Sequence, residues 1–435
     1  MTGLETQALL TDKYELTMVS AALRDGTAHR RTTFELFARR LPEGRRYGVV
    51  AGTGRFLEAL GDFVFNDAAL ASVADFLDPT TLDYLRGFRF RGDIDGYAEG
   101  ELYFPGSPVL SITGSFAECV LLETLALSIL NHDCAVASAA ARMVSVADDR
   151  PLIEMGSRRT HEQAAVAAAR AAYIAGFAGS SNLAAAHRFG VPALGTSAHA
   201  FTMVHTTTDG GTDQWEQAAF RAQVAALGVT TTLLVDTYDV RNGVANAIAA
   251  AGTALGAVRI DSGDLGVLAR QVRRQLDDLG ATATKIVVSG DLDEFAIAAL
   301  RADPVDSFGV GTSVVTGSGA PTAGMVYKLV EVDRVAVEKR SPDKVSHGGR
   351  KAATRLARPS GTVTEEVVHP FGEAHFDEPS RVLTVPLMRA GAVASPADLH
   401  AARELVARGL GSLPWEGLAL SAGEPAIPTR RVAPR

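Results

Sequence analysis

AVRIDSGDLGVLARQVRRQLDDLGATATKIVVSGD, residues 257–291, decides how the middle of this chain folds. The apolar run AVRI stops at Asp261, Ser262 and Gly263. After room enough for a helix comes a second run, KIVV, which stops at Gly290. Two apolar runs with a helix-length segment between them read as a β–α–β unit, whose strands are parallel.

The same rhythm extends both ways. PLIEMG, YIAGFAGSS, VPALGTS and TTLLVDT precede the unit and DSFGVGTS follows it, most of them about 15 to 40 residues apart. The runs end in Arg158 and Arg159, Ser180, His199, Asp236, Asp261, Gly290 and Gly311. A barrel gathers such ends on one rim, its C-terminal face, where substrates bind. An open doubly wound sheet concentrates its ligand at a switch point instead. Polar or small residues at every run end favour the barrel, and a series one run short of eight makes it incomplete.

The flanks read differently. TDKYELTMVSAAL is a helix that Thr11 or Asp12 can cap, and RTTFELFARR is a strand. ELYFPGSPVLSITG gives two short strands around Pro105 and Gly106, and the Ala- and Leu-rich residues 116–141 read as helix. Beyond residue 330, EEVVHPF and SRVLTVPLM read as strands and ADLHAARELVARGL as a helix. KRSPDKVSHGGRKAATR looks like strands joined by a basic, exposed loop. Each flank is small for an independent core, so the two are expected to pack together. The predicted fold class is α/β. It comprises an irregular or incomplete parallel β/α barrel over 116–330 and an α/β sandwich domain formed by 1–115 and 331–435.

Composition bounds the function. A chain of 435 residues, 47% hydrophobic and 21% charged, fits two globular domains. The net charge of −8 argues against a nucleic-acid partner but permits local basic pockets. Cys119 and Cys134 are too few for a disulfide or metal framework, and such usage suits a reducing cytosol. The N-terminus has no basic segment leading into an apolar one, and no 18-residue span reads as transmembrane. A cytoplasmic protein with no membrane partner is expected.

Several run ends can carry chemistry. Arg259 and Asp261 lie two apart on a strand and point the same way. They can fix an anionic ligand and a hydroxyl or Mg2+, or form a strand-end ion pair before a helix capped by Ser262 or Asp264. GVGTSVVTGSGAP, residues 309–321, holds Gly309, Gly311, Gly317 and Gly319 with Thr312 and Ser318. Backbone N–H groups of such a loop can converge on phosphate, and Gly290 offers a second close approach. In EMGSRRTH, residues 154–161, Arg158 and Arg159 either face the pocket or are solvated. ALGTSAHAF, residues 193–201, leaves His199 just past a strand end. Asp236, one strand away, is placed to hold that imidazole in one tautomer, with Asp239 three residues on. Such a histidine can act as a base or as a nucleophile that carries a group.

Together TDKYELTM, EMGSRRTH, GFAGSSN, GTSAHAF, DTYD, RIDSGD and GVGTSVVTGSGAP, in order from residue 11 to about 330, resemble the nicotinate phosphoribosyltransferase family. This is a type II phosphoribosyltransferase family of NAD salvage. The resemblance implies conversion of nicotinate and phosphoribosyl pyrophosphate to nicotinate mononucleotide and pyrophosphate, coupled to hydrolysis of ATP, with Mg2+ as cofactor. It implies small-molecule partners only, and a homodimer whose active site lies at the subunit interface. It puts the family's phosphorylated histidine on His199, with Asp236 orienting the ring; His205 lies beyond the rim turn. Asp261 serves the ribose side, Arg259 the nicotinate carboxylate and Arg158 phosphate, the two arginine roles being exchangeable. Tyr14 stacks on the pyridine ring from the partner subunit, and Gly290, Gly311, Thr312 and Gly317 bind phosphate. Ser180 and Ser181 stand where nicotinamide-using relatives carry a carboxylate, and a serine donates to nicotinate without repelling it. Lys344 or Lys351 is expected to reach phosphate from the loop at 340–351. No metal-ligand set is legible.

Other readings stay open. A quinolinate-using relative needs no phosphohistidine and is shorter and more basic; a nicotinamide-using one would carry the carboxylate. A generic phosphate-binding barrel would want a Schiff-base lysine at a strand end, whereas Lys285 precedes its strand. A non-catalytic nucleotide sensor would be expected to have lost His199, Asp236 or Asp261, and all three are present.

Overall fold

A computed structural model describes residues 6–339, 347–373, 376 and 379–432. The chain divides into two compact units, Met1–Ser138 with Ala320–Arg435, and Ala139–Gly319. The unit boundaries therefore differ from the residues 115 and 330 read from the sequence. Two elements explain the difference. The helix Glu123–Val146 is one continuous element, and its first half (Leu125, Ala126, Leu130, Cys134) lies in the core of the terminal unit. Downstream, Met325–Val332 pairs antiparallel with Arg31–Ala38, which assigns it to the same unit. An apolar pattern marks these segments as buried but does not say in which core. The stretch Phe116–Val146 is long and apolar enough to cross a membrane, yet 67% of its most apolar window is buried in protein. It is a core helix.

The unit 139–319 holds a six-stranded sheet, ordered Gly179–Ser180, Leu152–Glu154, Ser307–Val310, Lys285–Ser289, Ala257–Ile260, Thr232–Leu234. All five pairings are parallel. The quoted β–α–β unit forms as read, with the helix Leu265–Asp278 between its strands. Asp264 caps that helix by accepting from Val267 N at 3.0 Å, and Asp239 caps Val240–Ala251 in the same way. The run VPALGTS makes a single parallel bridge, Ala193 to Ser180, instead of a strand. Beyond it the chain reaches the other edge of the sheet. Thr196 Oγ1 accepts from Arg259 Nη1 at 3.2 Å, and His199 Nδ1 lies 3.1 Å from Thr237 Oγ1. Side chains thus span part of the gap that backbone pairing leaves between the two edges of this six-stranded parallel sheet.

The terminal unit is a sandwich of two sheets. Seven antiparallel strands run in the order Val335–Ala336, Met325–Val332, Arg31–Ala38, Leu110–Ser115, Asp93–Tyr97, Thr384–Arg389, Ala392–Val393. The four-stranded sheet runs Ser380–Val382, Lys351–Ala357, Val363–Pro370, Thr429–Arg431. Strand alternation gives the larger sheet two unlike faces. Phe34 and Leu36 join the apolar core. Glu35 and Asp95 instead take charged partners from the smaller sheet and the segments flanking it, and Tyr97, itself part of the core, donates through its hydroxyl to Glu366 of that sheet. Three N-terminal carboxylates meet C-terminal cations in this buried layer: Glu35 with Lys351, Asp95 with Arg350 and Arg389, Glu101 with Arg355 and Arg381. Charge complementarity between the chain's two ends therefore accompanies their docking.

The capping expectation at the N-terminal helix is corrected. Asp12 occupies the N-cap of Lys13–Asp25 without a side-chain capping bond. Thr11 donates instead to buried Glu15, which also accepts from Thr124 N at 3.0 Å. Burial pushes Glu15 up to about 7, against the lowering effect of those hydrogen bonds.

Candidate active site

The barrel rim is built where the 257–260 strand ends. Arg259 sits between three neighbours: Nε donates to Ser289 Oγ at 2.7 Å, Nη1 to Thr196 Oγ1 at 3.2 Å, and Nη2 to Asp261 Oδ1 at 2.7 Å. Its side chain is 13% exposed. Two of its five N–H donors remain for a ligand, held in a rigid fork. Ser289 also donates to Asp261 Oδ1. Burial raises the Asp261 carboxyl most, but Ser289, Arg259 and His199 together outweigh it and hold the group below the usual carboxylate range. Asp261 is charged at neutral pH.

Gly290 makes this geometry possible. Its φ is +106°, and a Cβ there would come within 2.4 Å of the Asp261 carbonyl oxygen. Only glycine lets the two strand ends lie so close.

His199 opens the short helix His199–Met203, and its side chain is 37% exposed. Its Nδ1 meets Thr237 Oγ1, and its Nε2 faces Asp261 Oδ2 at 4.0 Å. The expectation that Asp236 orients this ring is corrected. Asp236 Oδ2 accepts from Asp261 N and Ser262 Oγ, both at 2.8 Å, so it braces the next strand end. Thr237 and Asp261 flank the imidazole instead. A period-two strand reading stops at Asp236 and does not follow the turn that brings Thr237 round. His205 is half-buried just past that helix, and its Nδ1 lies 2.8 Å from the Phe201 carbonyl.

The GFAGSSN segment also differs from its reading. Ser180 is fully buried, and its Oγ donates to Glu154 Oε2 at 2.5 Å. With that proton committed, Ser180 does not serve a ligand. Ser181, next in the chain, is exposed, and its N–H donates to the Glu154 carbonyl at 2.9 Å. Glu154 is the residue that sequence reasoning missed. It has no exposure, and it ties the 156–159 turn to the 180–182 turn by accepting from Gly156 N and Ser180 Oγ. Burial raises its pKa and those two hydrogen bonds lower it, with burial prevailing. The signal was present: an acidic residue inside the apolar run PLIEMG, where charges are rarely buried without purpose.

Arg158 and Arg159 are exposed on the 156–159 turn, with no carboxylate partner among the described residues. The glycine-rich segment is not one loop. Gly309 lies in the strand Ser307–Val310, Gly311 follows it, and Thr312–Val315 forms a helical turn. Gly317 N donates to Val314 O at 3.2 Å, so the expectation that this N–H serves phosphate is corrected. Gly311 and Thr312 stand at the rim, level with the ends of the other strands. Tyr14 belongs to the terminal unit and is 45% exposed. Burial, then Glu123, Glu15 and Asp12, push its hydroxyl up to about 12, so its ring is neutral. Lys344 lies outside the described residues. Lys351 is engaged by Glu35 at 2.9 Å and donates to the carbonyls of His347 and Gly349, which corrects its reading as a free phosphate ligand.

The rim's inventory is one partly exposed imidazole, the hydrogen-bonded carboxylates Asp261 and Asp236, one braced guanidinium and two exposed arginines, which suits an anionic substrate. Known proteins point the same way. Residues 9–131 match the model of the nicotinate phosphoribosyltransferase N-terminal domain, and residues 151–354 that of the nicotinate phosphoribosyltransferase family. The chain is 73% identical to a nicotinate phosphoribosyltransferase of Mycobacterium tuberculosis over 425 residues, covering 98% of this chain and 95% of that one. It is 37% identical to the nicotinate phosphoribosyltransferase of Bacillus subtilis over 379 residues, 83% of this chain and 75% of that protein. The crystal structure of human nicotinic acid phosphoribosyltransferase superposes with a TM-score of 0.83 at 28% identity, covering 95% and 96% of the two chains. The residues that brace one another at the rim lie within the matched segments, and the chain belongs to the nicotinate phosphoribosyltransferase family.

Proposed function

We propose that this protein joins nicotinate to phosphoribosyl pyrophosphate and drives the transfer with ATP through a phosphorylated His199. The observation that carries the ATP step is the placement of His199, half exposed at the rim with one nitrogen on Thr237 and the other facing Asp261. With Nδ1–H donating to Thr237, Nε2 presents its lone pair. Attack on the γ-phosphorus of ATP forms the N–P bond and releases ADP; water later cleaves that bond and releases phosphate. The added charge on the ring changes the pocket's affinity for pyrophosphate-bearing ligands, which links ATP hydrolysis to the transfer.

In the transfer itself, the nicotinate nitrogen attacks the anomeric carbon as its bond to pyrophosphate breaks. Positive charge grows on the ribosyl ring, and the ionised Asp261 stabilises it. The two free N–H groups of Arg259 receive the nicotinate carboxylate. Arg158, unpaired and exposed, follows phosphate, with Gly290, Gly311 and Thr312 lining its approach. Tyr14, with a neutral ring, supplies a face on which the pyridine can stack, contributed by a second subunit in a homodimer. Among the described residues no group of three His, Cys, Asp or Glu forms a metal cage. Asp261, and Asp236 with its buried and unpartnered Oδ1, fit the one or two carboxylates that Mg2+ takes alongside substrate phosphates. Bound there, Mg2+ would neutralise pyrophosphate charge. We place the enzyme in the cytoplasm.

The test offers nicotinate, nicotinamide and quinolinate separately with phosphoribosyl pyrophosphate, Mg2+ and ATP, counting mononucleotide and ADP. Nucleotide from nicotinate with ADP alongside is expected; nucleotide from quinolinate without ADP would overturn the reading. Substrate choice is tested by Ser181→Asp. A carboxylate at this exposed rim position repels nicotinate, so kcat/KM for nicotinate should fall about 10- to 100-fold. Turnover of nicotinamide should not fall with it. Ser180→Asp would only test folding, because Ser180 is buried. An unchanged nicotinate/nicotinamide ratio in Ser181→Asp would remove Ser181 from substrate recognition.

A further inference from the structure

We propose that the sandwich unit carries an anion site of its own, a cavity of about 770 Å³ that binds a phosphate group, free or carried by a nucleotide. It is lined by His347, Arg350, Lys351, Thr429 and Arg431, all of the terminal unit. The volume suits a nucleotide-sized ligand. Ala336, Val368, Pro370 and Val432 supply an apolar wall.

The charge balance is what points to an anion. Four cations, Arg350, Arg389, Lys351 and Arg431, surround the cavity or share its counter-ions. Asp95 is divided between Arg350 and Arg389, and Glu35 holds Lys351. Arg431 has no carboxylate within ion-pair distance among the described residues. Glu338 also lines the cavity, so among the described residues its wall carries three cations, Arg350, Lys351 and Arg431, and one carboxylate. Arg431 is exposed, and its pKa is lowered by partial desolvation, which Glu35 only partly offsets. A guanidinium without a carboxylate of its own is free to take a new counter-ion.

The donors are also in place. Arg431 Nη1 lies 2.6 Å from His347 Nε2. A guanidinium only donates, so that ring nitrogen accepts and the imidazole is neutral with its proton on Nδ1. Burial, then Arg431 and Lys351, lower the His347 pKa, which agrees with a neutral ring. The His347 Nδ1–H and the remaining N–H groups of Arg431 are donors, and phosphate has three or more oxygens with which to accept from them.

The test is calorimetric titration of the full chain with inorganic phosphate, ATP without Mg2+, and adenosine. The variants are Arg431→Gln, His347→Gln and Arg158→Ala, each first checked for an unchanged Tm; Arg158→Ala removes the arginine proposed to hold phosphate at the rim. Phosphate should still bind the sandwich site in Arg158→Ala, and about tenfold more weakly in Arg431→Gln made in that background, the loss of one charge-assisted contact. His347→Gln, lacking the Nδ1–H, should weaken it in the same direction, and adenosine should not bind the site. In the Arg158→Ala background, displacement of phosphate by ATP identifies a nucleotide as the ligand; phosphate binding that ATP leaves intact identifies free phosphate. Phosphate affinity within twofold of that background in both Arg431→Gln and His347→Gln overturns the site, and leaves the proposed reaction at the barrel rim untouched.

Discussion

Arg259→Ala is expected to lower kcat/KM for nicotinate by roughly 10²–10³-fold, about 3–4 kcal/mol of transition-state stabilisation, while the chain stays folded. The guanidinium joins Thr196, Ser289 and Asp261, which come from two strand ends and the segment that precedes His199. Its removal loses the proposed carboxylate contact and frees Asp261 to turn away from the reacting carbon. Arg259→Lys should recover little of the loss, because a single ammonium cannot reach three acceptors in one plane and still present a fork. The measurement is a KM and kcat pair for each variant beside a thermal melt. A lysine variant with more than half of wild-type kcat/KM would show that charge alone suffices and that the braced geometry is idle.

Arg355→Ala should produce the largest loss of stability. Its side chain is 3% exposed, and it bonds Glu101 Oε1 and Glu366 Oε2, each at 2.6 Å. Both carboxylates are fully enclosed, and Tyr97 Oη donates to the same Glu366 at 2.7 Å. Truncation strands two buried negative charges, for which about 3–5 kcal/mol is the ordinary cost. In a unit of this size that corresponds to a fall in Tm of about 10 °C. Arg381, half exposed, still reaches Glu101 and softens the loss at that end only. Arg355→Met combined with Glu366→Gln should recover part of the stability, since replacing both partners removes the stranded charge. A double variant no more stable than Arg355→Ala would assign the loss to packing and not to charge.

How much of this was legible in the sequence depended on the range of the interaction. The β–α–β rhythm of 257–291 set the parallel sheet, because a local pattern of period and length is enough for that. Asp264 as a helix cap was readable for the same reason, its partner being Val267. Gly290 was readable as a close-approach point, though not which backbone it approaches. The errors lie where partners are distant in sequence. Ser180 was read as a ligand because nothing near it reveals Glu154, 26 residues away. Asp236 was read as the partner of His199, although its two hydrogen bonds go 25 and 26 residues forward. The charge complementarity of the sandwich, in which Glu101 meets Arg381 across 280 residues, has no local signature at all. Gly317 looked like part of a phosphate loop because composition does not show that the preceding residues close a helical turn on it.

The measurement that bears most directly on the phosphohistidine is a count of ADP formed per mononucleotide, made together with label from γ-phosphate-labelled ATP on wild type and His199→Ala. The wild-type chain should release ADP in step with nucleotide and carry an acid-labile, base-stable label on His199. His199→Ala should carry no label and make no ADP, while retaining slow, ATP-independent transfer from an otherwise intact rim. Equal ADP release per nucleotide in His199→Ala would show that the imidazole between Thr237 and Asp261 does not carry the phosphoryl group.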